Sequence, residues 1–108
     1  MTISLPAPLK TYFDAGNGQN IEEITRCFAP DARVLDEGEW RQGHEDIARW
    51  AREAREKYNF TSTPLALEGP AHEPIVTARV EGNFPGSPIE LRYRFALMDG
   101  KIASLSIA

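Results

Sequence analysis

The sequence predicts an α+β fold, in which three N-terminal helices pack against a curved, mainly antiparallel sheet. In the first half of the chain, apolar residues recur with the spacing of helical faces. From Phe60 onward they alternate with period two, as in half-buried strands. Helices followed by a run of strands are typical of α+β proteins, and 108 residues suffice for one domain spanning 1–108.

The first helix is predicted from a possible cap and an apolar stripe. Ser4 can cap it, because Pro6 and Pro8 then lie in the first turn, where a missing amide hydrogen costs little. We expect the helix to end near Gly16. Its apolar stripe consists of Leu5, Leu9, Tyr12 and Phe13.

A short second helix and a strand should follow. Asn20 and Glu23 form a variant of the capping box, and Pro30 closes the helix. The helix presents four apolar residues on one face: Ile21, Ile24, Cys27 and Phe28. On this face Cys27 should be a small core residue and not a nucleophile. We then expect a strand over residues 32–36.

A polar segment and a long helix come next. Residues 37–43 are polar and rich in glycine, so we interpret them as a loop and not as a strand. The third helix should begin near His44 and run to about Tyr58. Its apolar face consists of Ile47, Trp50, Ala51, Ala54 and Tyr58, and its opposite face is charged and solvated.

Four strands are predicted in the C-terminal half. Their alternating apolar residues are Leu65 and Leu67; Val76, Ala78 and Val80; Leu91, Tyr93, Phe95 and Leu97; and Ala103, Leu105 and Ile107. Asp99-Gly100 suits the tight turn of a hairpin. The outer face of the sheet carries charges but is interrupted by Ala96 and Met98, and we expect a homodimer to pack through it.

Composition and charge narrow the classes of partner. Twelve basic and 16 acidic residues give a formal charge of -4, which disfavours nucleic acid and anionic membranes as partners. The N-terminal residues show no basic region and no long apolar run, so we expect a cytoplasmic protein. His44 and His72 lack the spacing of metal ligands, and no phosphate-binding glycine loop is present, so we expect neither metal nor cofactor.

Asp36 is the residue most suggestive of chemistry. Side chains alternate along a strand, so Asp36 shares a face with the core residue Val34, where an ionised carboxylate is costly unless paired or protonated. Tyr12, on the apolar stripe of the first helix, can direct a hydroxyl into the same space. In the alternative interpretation, Asp36 ends the strand and accepts turn amides, while Tyr12 only fills the core.

Several segments together resemble the nuclear transport factor 2-like superfamily, in its SnoaL-like and ketosteroid isomerase-like branch. They are residues 12–17, residues 28–32, Gly43 with Ile47 and Trp50, residues 84–88, and residues 99–102. The resemblance covers nearly the whole chain. It implies a cone-shaped fold enclosing a pocket for a small apolar or polycyclic molecule, used without a cofactor.

The resemblance also implies roles for particular residues. In the steroid isomerases, an aspartate matching Asp36 moves a proton between carbons, and a tyrosine matching Tyr12 donates a hydrogen bond to the developing oxyanion. A second, protonated acid helps on a later strand, but the matching residues 89–95 here carry no acid on the apolar face. We expect the pocket to be lined by Val34, Trp40, Trp50, Tyr58, Phe60, Tyr93 and Phe95.

Two functions remain open on these grounds. The first is proton-transfer isomerisation or cyclisation with Asp36 as base and Tyr12 as hydrogen-bond donor. The second is a non-catalytic ligand-binding or dimerisation module, which the missing second acid favours.

Overall fold

Three helices and six strands form within residues 3–108, the part of the chain that the computed structural model describes; residues 1 and 2 of the predicted domain lie outside it. The helices are α1 (Ala7–Asn17), α2 (Ile21–Arg26) and α3 (Gly43–Tyr58). The strands are β1 (Phe28–Asp36), β2 (Glu39–Gln42), β3 (Thr61–Glu68), β4 (Ile75–Glu81), β5 (Ile89–Met98) and β6 (Lys101–Ile107).

All six strands belong to one open sheet with the order β2-β1-β6-β5-β4-β3. The β1–β6 pair is parallel and the other neighbouring pairs are antiparallel. The helices pack against the sheet, and apolar side chains from both layers form one buried core. The predicted α+β class, with helices on a mainly antiparallel sheet, is confirmed.

The first helix begins later than predicted. Its cap position is Pro6 and not Ser4, and the Lys10 amide donates to the Pro6 carbonyl at 2.9 Å. A proline can occupy this position because its own amide would have no partner within the helix. Leu9, Tyr12 and Phe13 are buried as expected, and the helix ends at Asn17.

The second helix is shorter than predicted, and the strand after it is longer. The Glu23 amide donates to the Asn20 side chain at 3.2 Å, which confirms the cap. The helix, however, ends at Arg26, and Phe28 is already the first residue of β1. Pairing with β6 explains the early start, because Phe28 lies opposite Ile102, whose amide donates to the Cys27 carbonyl at 2.8 Å.

The prediction of a loop over residues 37–43 was wrong. Residues 39–42 form β2, which pairs antiparallel with the end of β1 through a two-residue turn, Glu37-Gly38. Both turn residues have positive φ, 53° and 76°, as a tight type I′ hairpin requires. β2 is a short, largely exposed edge strand, so its side chains show little apolar alternation.

The four C-terminal strands are confirmed, each within a few residues of its predicted position. Asp99 and Gly100 connect β5 to β6 with φ of 52° and 76°, again the geometry of a tight hairpin. The charged side chains predicted on the outer face of the sheet are exposed: Arg79, Glu81, Arg92 and Arg94.

Candidate functional site

A cleft of about 370 Å³ lies between the helices and the sheet, and we call it the Asp36 cleft. Six of the predicted site residues line it: Tyr12, Asp36, Trp50, Tyr58, Phe60 and Tyr93. The other lining residues are Glu37, Ala54, Val80, Phe84, Pro85, Leu91 and Ile107. The lining is therefore mostly aromatic and aliphatic, with Asp36 and Glu37 as its two acids.

Asp36 is the last residue of β1, and its side chain is half-buried. The indole N–H of Trp50, from α3, donates to Asp36 Oδ2 at 3.0 Å. Burial raises the pKa of Asp36 above its usual value, while the Trp50 hydrogen bond works in the opposite direction. The neighbouring Glu37 carboxylate raises the pKa further, whereas the charge of Arg41 lowers it.

Tyr12 lies in the aromatic core at the inner side of the cleft, with only 3% of its surface exposed. Four rings pack around it edge-on, with centroids 5.2 to 6.3 Å away: Phe13, Phe28, Tyr93 and Phe95. Burial raises the pKa of the Tyr12 hydroxyl far above its usual value, so the phenol stays protonated and can donate. The nearby Arg55 guanidinium lowers that pKa.

Tyr93 places a second phenol in the cleft. Its hydroxyl lies 3.1 Å from Ser62 Oγ, deep between β5 and β3. Burial raises the pKa of Tyr93, and the hydrogen bond with Ser62 partly offsets this effect. The hydrogen bond with Ser62 therefore fixes the Tyr93 hydroxyl, and the protein itself holds this side chain in place.

At the opening of the cleft, the turn after β1 meets the end of α3. The Tyr58 hydroxyl donates to Glu37 Oε1 at 2.8 Å, and the Tyr58 ring packs edge-on against Phe84, with centroids 5.8 Å apart. These contacts join three separate segments of the chain around one opening.

Three residues predicted to line the pocket lie outside the Asp36 cleft. Val34 and Phe95 point inward as expected, but helices cover them and they form part of the closed core. Trp40 is 56% exposed and lies against the Arg33 guanidinium, 5.0 Å from the ring centroid. It pairs with Leu35 across β1 and β2, on the face opposite to Asp36, so the predicted role of Trp40 as a lining residue is corrected.

The sequence interpretation also missed a buried cation. Arg55 of α3 is only 6% exposed and donates from Nε to the Gly16 carbonyl and from Nη1 to the Ala51 carbonyl, both at 3.2 Å. Its guanidinium lies over the Phe60 ring, 4.8 Å from the centroid. A signal was available, because Arg55 follows Ala51 by four residues and therefore shares its helical face.

A larger groove, of about 620 Å³, lies elsewhere, beside α1 and α2. Its lining is rich in charged and polar residues, such as Asp14, Glu23, Arg26 and Lys101. Cys27 also lines it, but burial raises the pKa of the thiol, which disfavours the reactive thiolate. The acid and phenol singled out from the sequence meet in the Asp36 cleft and not in this groove.

Between residues 3 and 108, no group of three or more His, Cys, Asp or Glu side chains is arranged to hold a metal ion. Over the same residues, no helix is both long enough and apolar enough to cross a membrane. His44 lies half-buried, with Nε2 at 2.8 Å from the Phe28 carbonyl oxygen.

Solved structures of other proteins share this fold. A protein from Sinorhizobium meliloti, named as a polyketide cyclase, is 39% identical and superposes with a TM-score of 0.93, covering 96% of this chain and 95% of that one. A Catenulispora acidiphila protein with a ketosteroid isomerase-like fold, in complex with trimethylamine, is 19% identical with a TM-score of 0.85, covering 97% and 86%. SalBIII is an epoxide hydrolase/cyclase-like enzyme with a role in pyran ring formation in the polyether salinomycin. It is 20% identical with a TM-score of 0.80, covering 94% of this chain and 86% of that one.

At the level of sequence families, the SnoaL-like domain matches residues 9–105. None of the curated proteins compared with the chain matches it. The matched segment includes all three helices except the first two residues of α1, and nearly the whole sheet. The chain therefore belongs to the SnoaL-like domain family, and it shares the fold of a ketosteroid isomerase-like protein.

Proposed function

We propose that the Asp36 cleft is the interior of the cone and binds a small apolar molecule, on which Asp36 acts as a general base in proton-transfer isomerisation or cyclisation. The observation that carries this proposal is the setting of the carboxylate. Asp36 is half-buried in a mostly apolar cleft and receives a hydrogen bond from a neutral donor, Trp50. An aspartate that only ended the strand would need neither the apolar surroundings nor the hydrogen bond from Trp50.

The chemistry of a base fits this environment. A carboxylate buried among apolar groups has a raised pKa, which brings it closer to neutral pH and makes it a better proton acceptor. Asp36 would remove a proton from a carbon next to a carbonyl group. The electron pair moves to the carbonyl oxygen, and Tyr12 donates a hydrogen bond to the resulting enolate.

Two outcomes of the enolate are possible at the same site. If protonated Asp36 returns the proton to a different carbon, the result is an isomerisation. If the enolate carbon instead attacks a second carbonyl carbon of the same molecule, a ring closes, and protonated Asp36 gives its proton to the new alkoxide oxygen. The name of the Sinorhizobium protein, a polyketide cyclase, favours ring closure.

The direct test uses a panel of apolar ketones and polyketides. Ligands are found by a rise in melting temperature, since a molecule that binds only the folded state stabilises it by mass action. We expect Asp36→Asn to retain binding and to lose turnover. Asp31→Asn is the matched control, because Asp31 lies exposed on the same strand. Unchanged turnover in Asp36→Asn would exclude the proposed role of Asp36 as the base.

The second candidate is a non-catalytic binding module. The observation that favours it is the absence of an acid on the face of β5 that lines the cleft, where Leu91 and Tyr93 lie. Removing one oxyanion donor typically costs about 100- to 1,000-fold in rate. A ligand that binds and is returned unchanged by the wild-type protein would support this candidate.

We also propose that the protein is a cytoplasmic homodimer that pairs through the outer face of the sheet. The supporting feature is the small side chain of Ala96 among the charged residues of that face. Ala96→Arg would introduce a bulky charge there and should produce monomers. Light scattering on the wild type and the variant measures the molecular mass directly, and a wild-type monomer would contradict the proposal.

A further inference from the structure

Arg55 is a buried cation that forms no ion pair with a carboxylate among the described residues. Its two hydrogen bonds to backbone carbonyls use only part of a guanidinium that carries five N–H donors. Burying an unpaired charge is expensive. A buried positive charge would be useful, however, if negative charge formed nearby during the reaction.

Two residues that contact the guanidinium, Gly16 and Phe60, are neighbours of Tyr12. Gly16, whose carbonyl accepts from Arg55 Nε, lies one helical turn after Tyr12 on the same face of α1. Phe60, whose ring the guanidinium covers, lines the Asp36 cleft together with Tyr12.

The glycine at position 16 is explained by the same contact. A Cβ atom there would lie 2.6 Å from Arg55 Nη2, closer than real contacts permit. Alanine is otherwise preferred over glycine inside a helix by about 1 kcal/mol. The absence of a side chain at Gly16 therefore makes room for the guanidinium.

We propose that Arg55 is a positioning residue whose positive charge makes the Tyr12 hydroxyl a stronger hydrogen-bond donor, and so supplies electrostatic help of the kind that the absent second acid would give. The catalytic meaning of this inference rests on the proposed function. The coupling between Arg55 and Tyr12 does not, and it can be measured without a substrate.

The charges around Tyr12 make Arg55 distinctive. Tyr93 of β5 and Asp36 of β1 both raise the pKa of the Tyr12 hydroxyl, as does burial. The positive charge of Arg55, on α3, lowers it.

The test replaces Tyr12 with 3,5-difluorotyrosine, a nearly isosteric phenol whose lower pKa allows titration by absorbance. We expect Arg55→Gln to raise the pKa of this phenol by at least about one unit, a tenfold change in its ionisation constant. Arg52→Gln is the matched control, because Arg52 lies exposed on the same helix. It should leave the pKa unchanged.

Gly16→Ala provides a second variant in which the charge is kept and displaced. Its Cβ should push the guanidinium away and also raise the pKa of the phenol at position 12. Circular dichroism establishes that each variant is folded. If neither Arg55→Gln nor Gly16→Ala raises the pKa, or if Arg52→Gln raises it equally, the proposal is overturned. Failure of the proposed function is distinguishable, since it would appear as unchanged turnover in Asp36→Asn.

Discussion

Replacing Trp50 with phenylalanine should separate the hydrogen bond to Asp36 from the aromatic packing around it. Trp50 is 6% exposed, and its indole N–H lies 3.0 Å from Asp36 Oδ2. Phenylalanine keeps a ring at this buried position and removes the donor. We therefore expect two effects, a less stable protein and a further increase in the pKa of Asp36.

The loss of stability has two contributions. A hydrogen bond to a charged group contributes about 1.5 to 3 kcal/mol, and the lower figure applies because Asp36 is only half-buried. The smaller ring buries less apolar surface, which costs roughly a further 1 kcal/mol. Trp50→Phe should thus lower the free energy of unfolding by about 2.5 kcal/mol at neutral pH.

Urea denaturation measures the stability, and carboxyl-carbon NMR follows the titration of Asp36. The pKa should rise because the Trp50 bond favours the ionised form, and that bond has been removed. Trp40→Phe is the control, since Trp40 is 56% exposed and lies on the other face of the sheet. An unchanged Asp36 pKa in Trp50→Phe would refute this account of the site.

Three other substitutions test different parts of the structure. Folding raises the pKa of Asp36, so the contribution of Asp36 to the free energy of unfolding is complete below the unfolded pKa and is lost as pH rises through the folded pKa. Asp36→Asn should therefore become more stable relative to wild type as pH rises. Urea titrations at several pH values measure this difference, and a constant difference would contradict the argument. Tyr93→Phe breaks the bond to Ser62 and should cost about 1 kcal/mol in thermal denaturation, while an unchanged melting temperature would show that the bond contributes nothing. Asn20→Ala removes the acceptor for the Glu23 amide and should cost about 1 kcal/mol, with helical circular dichroism retained; no loss of stability would refute the assigned cap.

The parts of the fold that could be predicted are those in which burial imposes a period on the sequence. The apolar faces of α1 and α3 and the alternation in β4 and β5 follow directly from packing on one side. The position of Asp36 in the cleft was predicted in the same way, from its spacing of two residues after Val34. Periodicity predicts on which face of a helix or strand a residue lies, but it says little about what packs against that face. For this reason Phe95 was assigned to the pocket, although it lies in the closed core.

β2 could not be predicted from apolar alternation, because an exposed edge strand has little to bury. Its four residues are mostly exposed, and it is held by backbone pairing with β1. The turn was the better signal. Glu37-Gly38 resembles Asp99-Gly100, which was identified as a hairpin, and both pairs have positive φ. Recognising it would have placed Trp40 opposite Leu35, away from the site.

Arg55 illustrates a different limit. The spacing from Ala51 places Arg55 on the buried face of α3. Charged residues are rarely buried, however, so the residue type argues against burial at this position. What makes its burial possible is a space left by Gly16, 39 residues earlier, together with that residue's carbonyl group. Such a long-range match between a small residue and a large one leaves no pattern within either segment.

The register of β1 decides whether Asp36 can perform any chemistry. A slip of one residue would move Asp36 to the outer face of the sheet, because successive side chains point to opposite faces. Two neighbours prevent this slip: β6 pairs Val34 with Leu105, and β2 pairs Leu35 with Trp40. β2 contributes no side chain to the lining of the Asp36 cleft, yet it holds the end of β1 from the other side. The edge strand β2, which apolar alternation did not predict, therefore helps to hold Asp36, which it did predict, on the cleft face of the sheet.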